Sequence, residues 1–169
     1  MPCRDAMITE VISARPDQTM ADALEIFQQK KIRGMPVLDD DNHVIGIFNF
    51  HLLLRALLPA PAAMEDDDLM RLKHISLSLD HITGVTPWLE RRLQNGLPRT
   101  LDTLMVRKFK TVRPDTPLRE GVRLLVEYGS PIPVVVDDKN TIAGIITSQS
   151  TIKAIQNLRA HISQDESDN

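Results

Sequence analysis

A stretch of about fifty residues occurs twice in this chain: residues 7–57 and 105–155 align at a constant offset of 98, apart from one local slip. Arg15-Pro16-Asp17 returns as Arg113-Pro114-Asp115, and Asp39, Asp40 and Asn42 return as Asp137, Asp138 and Asn140. Gly46-Ile47 returns as Gly144-Ile145, and Ala56 as Ala154. Met35-Pro36-Val37-Leu38-Asp39 matches Ile132-Pro133-Val134-Val135-Val136-Asp137 with one residue of slippage. Two copies are too few for a solenoid, which needs at least ~3 stacked units. A tandem pair instead implies two half-domains packed about a pseudo-twofold axis, with paired clefts between them.

Each copy predicts the same elements. A short apolar segment, Val11 to Ala14 in the first copy, leads into the Arg15-Pro16-Asp17 turn; Pro fixes φ there and Asp bonds its own backbone. Thr19 is placed to cap a helix, with Asp22 three residues on. Met20, Ala23, Leu24 and Phe27 then form one helical face, as do Leu118, Gly121, Val122 and Leu125 in the second copy. There, Thr116 is the expected cap and Pro117 the first-turn proline. Two short apolar, β-branched runs follow, separated by the turns 39–43 and 137–141, and read as strands. A second helix is expected near Phe50–Leu58 and Ser148–Leu158. Each copy is therefore β-α-β-β-α, and the fold class is α/β.

In this order the motifs resemble the cystathionine-β-synthase (CBS) domain, and the tandem resembles a CBS pair, or Bateman module. The resemblance rests on Val112-Arg113-Pro114-Asp115-Thr116-Pro117-Leu118 with its helix, then Ile132-Pro133-Val134-Val135-Val136-Asp137, then Gly144-Ile145-Ile146-Thr147. It covers about 100 of the 169 residues and is closer in the second copy. It divides the chain into a first repeat (1–58), an inserted helical linker (59–103), a second repeat (104–158) and a polar tail (159–169).

The insertion carries helix signals of its own. Pro59-Ala60-Pro61 ends the preceding helix, and Glu65 to Asp68 places four acids where a helix start favours them. Leu69, Leu72, Ile75 or Ser76, Leu79 and Ile82 make an apolar stripe that Gly84 would stop. Thr86-Pro87 opens a second helix, with Trp88, Leu89 and Leu93 on one side and Gly96 at its end. Two roles are open to this helical hairpin: covering the apolar surface of its own pair or of a dimer mate, or docking a regulated partner.

The CBS resemblance implies clefts for an adenosine ligand. In the family, a Thr or Ser three residues after the strand glycine touches phosphate or ribose, and an Asp six residues after it takes both ribose hydroxyls. The first copy has Asn49 and Leu52 at those places, the second Thr147 and Ser150, so both aspartates are replaced. Leu52 accepts no hydrogen bond. An unpaired buried polar group costs about 1–3 kcal/mol, roughly one to two powers of ten in affinity. The second cleft is therefore favoured. The resemblance lines it with Thr111, Val112, Ile132, Pro133, Thr147 and Ser150; its weaker counterpart has Ser13, Ala14, Arg33, Met35, Pro36 and Asn49. Thr147 has a purely structural alternative, as the cap of the following helix.

Composition narrows the remaining classes. A chain of 169 residues can bury roughly 70% of its unfolded surface and needs no disulfide. The single Cys3 suits a reducing compartment, and the opening residues lack the apolar core of a signal peptide. No run approaches the ~20 apolar residues of a membrane span. A formal net charge of −3 gives no general attraction to nucleic acid. His74 and His81, seven apart on one expected helix, are about 10.5 Å apart along it, too far to share a tetrahedral zinc. No nucleophile or phosphate-loop motif occurs, so neither a catalytic nor a metal site is expected. The expected function is that of a cytoplasmic homodimer that senses AMP, ADP, ATP or S-adenosylmethionine and signals to a regulated protein. The alternative is a ligand-free interaction module. Leu53, Leu57, Ile152 and Ile155 are the expected dimer positions, because helices apolar over more than one stripe have more than one packing partner.

Overall fold

A computed structural model describes residues 1–57 and 87–165. The expected stripe from Leu69 to Ile82, with His74 and His81, lies outside the described residues, as does the side chain of Trp88. In chain order, a short 3-10 turn at Cys3–Asp5 precedes α1 (Met20–Lys30), β1 (Gly34–Leu38), β2 (Val44–Asn49) and α2 (Phe50–Leu57). Then come α3 (Pro87–Gly96), α4 (Leu101–Leu104), α5 (Leu118–Tyr128), β3 (Ile132–Val135), β4 (Ile142–Ile146) and α6 (Ser148–Asp165). The second helix of the insertion forms where Pro87 and Gly96 bracket it. The last helix runs through residues expected to belong to a polar tail.

The repeats are mixed α/β, and each holds one antiparallel strand pair, β1–β2 or β3–β4. The opening strand of each copy is reduced to one residue. Ala14 makes a parallel bridge to Val37, and Val112 to Val134. Ala14 donates to Pro36 O and accepts from Leu38 N (3.0 and 2.9 Å), and Val112 does the same with Pro133 and Val135 (3.0 and 2.9 Å). The proline two residues after each bridge starts a turn at once, so the ladder cannot extend. The sequence slip also has a physical form. Met35 pairs with Phe48 but Ile132 with Ile146, so the second copy reaches its strand one residue sooner. The residue is restored at Val136, which is 56% exposed.

At the helix starts the two copies differ. Thr19 caps α1 with a full capping box: its hydroxyl accepts from Asp22 N (3.2 Å), and Asp22 Oδ2 accepts from Thr19 N (2.7 Å). The expected cap at Thr116 does not form. Pro117 holds an extended conformation and is itself the N-cap, and α5 begins at Leu118. The Thr116 hydroxyl instead closes the preceding turn by accepting from Arg113 N (2.9 Å).

The segment leading into each repeat packs on the other repeat. Ile8 bridges Ile145 in β4, and Val106 bridges Ile47 in β2; Pro2 bridges Pro117, and Thr100 bridges Thr19. Each of these pairs maps onto its counterpart by the same offset of 98. The first amide of each helix is satisfied the same way: Leu118 N donates to Met1 O (3.1 Å), Met20 N to Arg99 O (2.9 Å). Orphan helix-start donors are thus paired in trans between repeats. His43 and Thr141 bridge each other directly, flanked by Val44 N to Asn140 O and Ile142 N to Asn42 O (2.9 and 3.1 Å). These are the contacts of a pseudo-twofold axis.

The hydrophobic core follows the exchange. Leu101 and Met105 are buried with Met20, Phe27, Met35 and Phe48 of the first repeat. Cys3 and Ala6 are buried with Leu118, Leu124, Ile132 and Ile146 of the second. A third cluster, Leu38, Val44, Ile47 and Val135, joins the two. Fully burying one such side chain stabilises by about 1.5–3 kcal/mol. Two glycines admit the crossing segments. A Cβ on Gly144 would stand 2.8 Å from Ile8 O, and one on Gly46 would stand 2.4 Å from Met105 Sδ. A backbone carbonyl held in a bridge cannot retreat, whereas a methionine side chain can turn. Gly144→Ala is therefore expected to lower unfolding free energy in urea by about 1–3 kcal/mol, the range for overpacking, and Gly46→Ala by less.

Candidate functional site

The helix-start residues expected in the two clefts stand at the strand ends, where each strand pair feeds its second helix. In the second repeat, Thr147 and Ser150 bond each other reciprocally. Thr147 N donates to Ser150 Oγ and Ser150 N to Thr147 Oγ1, both at 3.0 Å, and Ser150 Oγ donates to Thr147 O at 3.1 Å. Thr147 thus takes the capping role at the start of α6. Its hydroxyl oxygen is engaged as an acceptor, but its hydroxyl hydrogen has no acceptor among the described residues, so it can still donate. In the first repeat, Asn49 Oδ1 accepts from Leu52 N (3.1 Å) and caps α2 in the same manner. Both family positions are therefore helix caps first.

The remaining expected lining residues divide by burial. Thr111, Thr147 and Ser150 are half-buried, as are Ser13 and Asn49 of the first cleft. Val112, Ile132 and Pro133 are buried, and so are Ala14, Met35 and Pro36. These apolar residues lie in the interior, and the half-buried polar residues stand nearer the surface. Arg33 departs from the group. It is exposed and lines a groove of about 700 Å³ between α1 and α2 with Leu24, Phe27, Gln28, Lys31, Ile32 and Phe50. Its carbonyl, rather than its guanidinium, supports the site, accepting from Phe50 N at 2.8 Å.

One feature was missed by sequence reasoning. Gly34, at the head of β1, lies against the second repeat: a Cβ there would stand 2.7 Å from Pro131 Cδ, 2.9 Å from Ser130 O and 3.2 Å from Asn49 Cβ. The strand heads of the two repeats therefore meet beside Asn49. Its signal was a glycine in a strand with no turn to make, a common mark of close backbone approach.

At the His43–Thr141 bridge, two aspartates organise matching turns. Asp39 Oδ1 accepts from the N–H groups of Asp41 and His43 (3.0 and 2.8 Å), and Oδ2 lies 3.0 Å from His43 Nδ1. Asp137 Oδ1 accepts from Lys139 N and Thr141 N (3.0 and 2.9 Å), and Oδ2 accepts from the Thr141 hydroxyl (2.6 Å). The His43 amide pulls the Asp39 carboxyl below its ordinary value, and the Thr141 hydroxyl does the same for Asp137. Asn42 and Asn140, at φ 62° and 63°, complete the turns in the left-handed region, which asparagine tolerates.

The CBS domain pattern matches residues 3–59 and again 101–157, covering most of the chain and both repeats. The chain belongs to the CBS domain family. Among its relatives is the uncharacterized protein MJ1426 of Methanocaldococcus jannaschii, 28% identical over 142 residues and spanning 82% of each chain. The chloroplastic CBS domain-containing protein CBSX2 of Arabidopsis thaliana is 27% identical over 150 residues, 83% of this chain and 56% of that protein. The crystal structure of CBSX2 in complex with AMP superposes with a TM-score of 0.65 at 23% identity, covering 94% of this chain and 98% of that one. The CBS domain pair of MJ0100, in complex with 5-methylthioadenosine and S-adenosyl-L-methionine, gives a TM-score of 0.62 at 19% identity, covering 93% and 97%. At these identities the superpositions establish a shared CBS-pair fold.

The turn aspartates set an acid limit on this CBS pair. A carboxyl whose folded pKa is depressed contributes stability that is complete above the unfolded value, ~3.9 for Asp. That stability is lost as pH falls through the folded value. Urea midpoints are expected to fall as pH drops below about 4, and Asp39→Asn with Asp137→Asn to flatten that acid limb. An unchanged acid limb in the double variant would show that the turn carboxylates do not set it.

Proposed function

We propose that this protein is a regulatory module that binds an adenosine-containing nucleotide between its repeats and passes the bound state to a partner protein. The observation that carries this reading is the junction itself. The strand head of the first repeat meets the second repeat beside Asn49, where Gly34 lies against Ser130 and Pro131, so a ligand bound there would reach both repeats. CBSX2 and MJ0100 share this fold, and their crystal structures hold AMP or S-adenosylmethionine and methylthioadenosine. AMP, ADP, ATP and S-adenosylmethionine share the adenosine part that such a cleft would recognise. The role is regulatory rather than catalytic. Ligand would act by population shift: it favours one arrangement of the repeats only as far as it binds that arrangement better.

The second cleft is the better site. Thr147 retains a hydroxyl donor and has Ser150 beside it, while Asn49 is followed by Leu52 at the ribose position. One observation favours the ligand-free alternative, an assembly module. The Ser150 hydroxyl already donates to Thr147 O at 3.1 Å, and a ribose would have to compete for it. Calorimetry with AMP, ADP, ATP and S-adenosylmethionine separates the readings. Saturable heat is expected, with Thr147→Ala weakening the best ligand roughly two- to thirteen-fold, as for one hydrogen bond of about 0.5–1.5 kcal/mol. Asn49→Ala should change it less. Larger losses at Asn49 would place the ligand in the first cleft, and absence of heat with all four would support the assembly module.

The protein would act as a cytoplasmic homodimer. Leu53 is not available for that contact, because it is 4% exposed in the core of its own repeat. Leu57 ends α2, and its side chain lies outside the described residues. Ile152 and Ile155, at 57% and 53% exposure, lie on one side of α6 with Leu158, and Phe50 and Leu54 are exposed on α2. Light scattering at high micromolar protein is expected to give twice the monomer mass, reduced toward the monomer by Ile152→Asp with Ile155→Asp. A monomer mass for the unmodified protein would contradict the dimer.

A further inference from the structure

Away from the expected clefts, the last turn of α3 borders an open cavity of about 150 Å³ beside α2, lined by Ala56, Arg92, Asn95, Gly96 and Arg99. Arg92 is half-buried and Arg99 exposed. Neither guanidinium has a hydrogen-bond or carboxylate partner among the described residues. Several other arginines are paired: Arg4 with Asp115, Arg107 with Asp102, Arg113 with Asp138, and Arg123 with Glu120 and Glu127. The helix end does not neutralise this pair. The Leu93 carbonyl accepts from Leu97 N (2.9 Å) and the Gly96 carbonyl from Arg99 N (3.0 Å).

We infer that this cavity is a binding site for a phosphoryl group, with Arg92 and Arg99 as its charged ligands. Two like charges lining one small cavity repel, and a dianion between them removes the repulsion and replaces it with charge-assisted hydrogen bonds. A planar guanidinium presents paired N–H donors that match phosphate oxygens. The Asn95 side chain, exposed at the rim, adds an uncharged donor. The cavity suits a small oxyanion and is too small for a whole nucleotide, since drug-sized ligand pockets run to about 300–1,000 Å³.

The site is mechanically joined to the repeats. Arg99 O accepts from Met20 N (2.9 Å) and Leu97 O from Ala21 N (3.0 Å), so the loop bearing Arg99 caps the first turn of α1. Gly96 closes on Met20, whose Cε would be 2.9 Å from a Cβ there. An anion that orders this loop therefore stiffens the start of α1, one of the trans contacts between the repeats. The insertion between the repeats is then an effector site in its own right, separate from any adenosine cleft.

The test is isothermal calorimetry of the full chain with inorganic phosphate, run against chloride and acetate at matched ionic strength. Saturable phosphate binding is expected, at least tenfold tighter than acetate. Arg92→Gln with Arg99→Gln should weaken it at least tenfold, whereas Arg107→Gln should leave it unchanged. Uncharged adenosine serves as the separate probe of the clefts: its binding should survive the double variant, and phosphate binding should survive Thr147→Ala. Phosphate heat no greater than that of chloride, or phosphate binding that persists in a folded double variant, would overturn the site. If the double variant does not fold, the comparison of phosphate with chloride on the unmodified protein decides alone.

Discussion

The exchange of leading segments between the repeats holds the rest of the molecule in place. Ile8 N and O both pair with Ile145, and Val106 N and O both pair with Ile47, all between 2.8 and 3.0 Å. Each repeat alone offers only a two-stranded sheet, and an isolated hairpin is marginally stable at best in water. The crossing segment adds a third extended stretch to each hairpin and delivers apolar side chains into its core, Leu101 and Met105 on one side, Cys3 and Ala6 on the other. Neither core is complete without residues that precede the other repeat. Buried in this way, the Cys3 thiol has its pKa pushed up, which keeps it protonated and unreactive.

Interlocking would also let such a small chain carry information, as the proposed function requires. Backbone of one repeat meets the other at the Ile8 and Val106 bridges, the Pro2–Pro117 and Thr19–Thr100 bridges, the His43–Thr141 bridge, and Gly34 against Pro131. In the proposed reading, a ligand at a strand head next to Gly34 would press on both repeats, because a side chain there has no room between Asn49 and Pro131. Small displacements would then pass along the bridges to the outer helices, where Phe50, Leu54, Ile152 and Ile155 are exposed. In the reading proposed here, those faces are where a second copy or a partner senses the change.

Much of this was legible in the residues. The offset of 98, the α/β order and the helix stop at Gly96 required only periodicity and turn chemistry; the stop expected at Gly84 lies outside the described residues. Thr19 was readable as a cap because Asp22 completes its box locally. The failures were long-range. Thr116 was misread as a cap because the donor it would have served, Leu118 N, is taken by Met1 O from the far end of the chain. The opening strands shrank to single bridges because the proline turns cut them short. Arg33, expected in the first cleft by family position, is exposed and lines the α1–α2 groove. The segment exchange itself left no local pattern. Its only traces were glycines in mid-strand, Gly46 and Gly144, whose purpose becomes clear once Met105 and Ile8 lie over them.

Native-state hydrogen exchange at four amides, those of Ile8, Ile145, Ile47 and Val106, tests the interlocked pair most directly. If the repeats are one cooperative unit, the four exchange only through global unfolding, with a common free energy equal to that from urea denaturation. Markedly faster exchange of the Ile8–Ile145 pair than of the Ile47–Val106 pair, or the reverse, would mean that one repeat opens independently and would contradict the account.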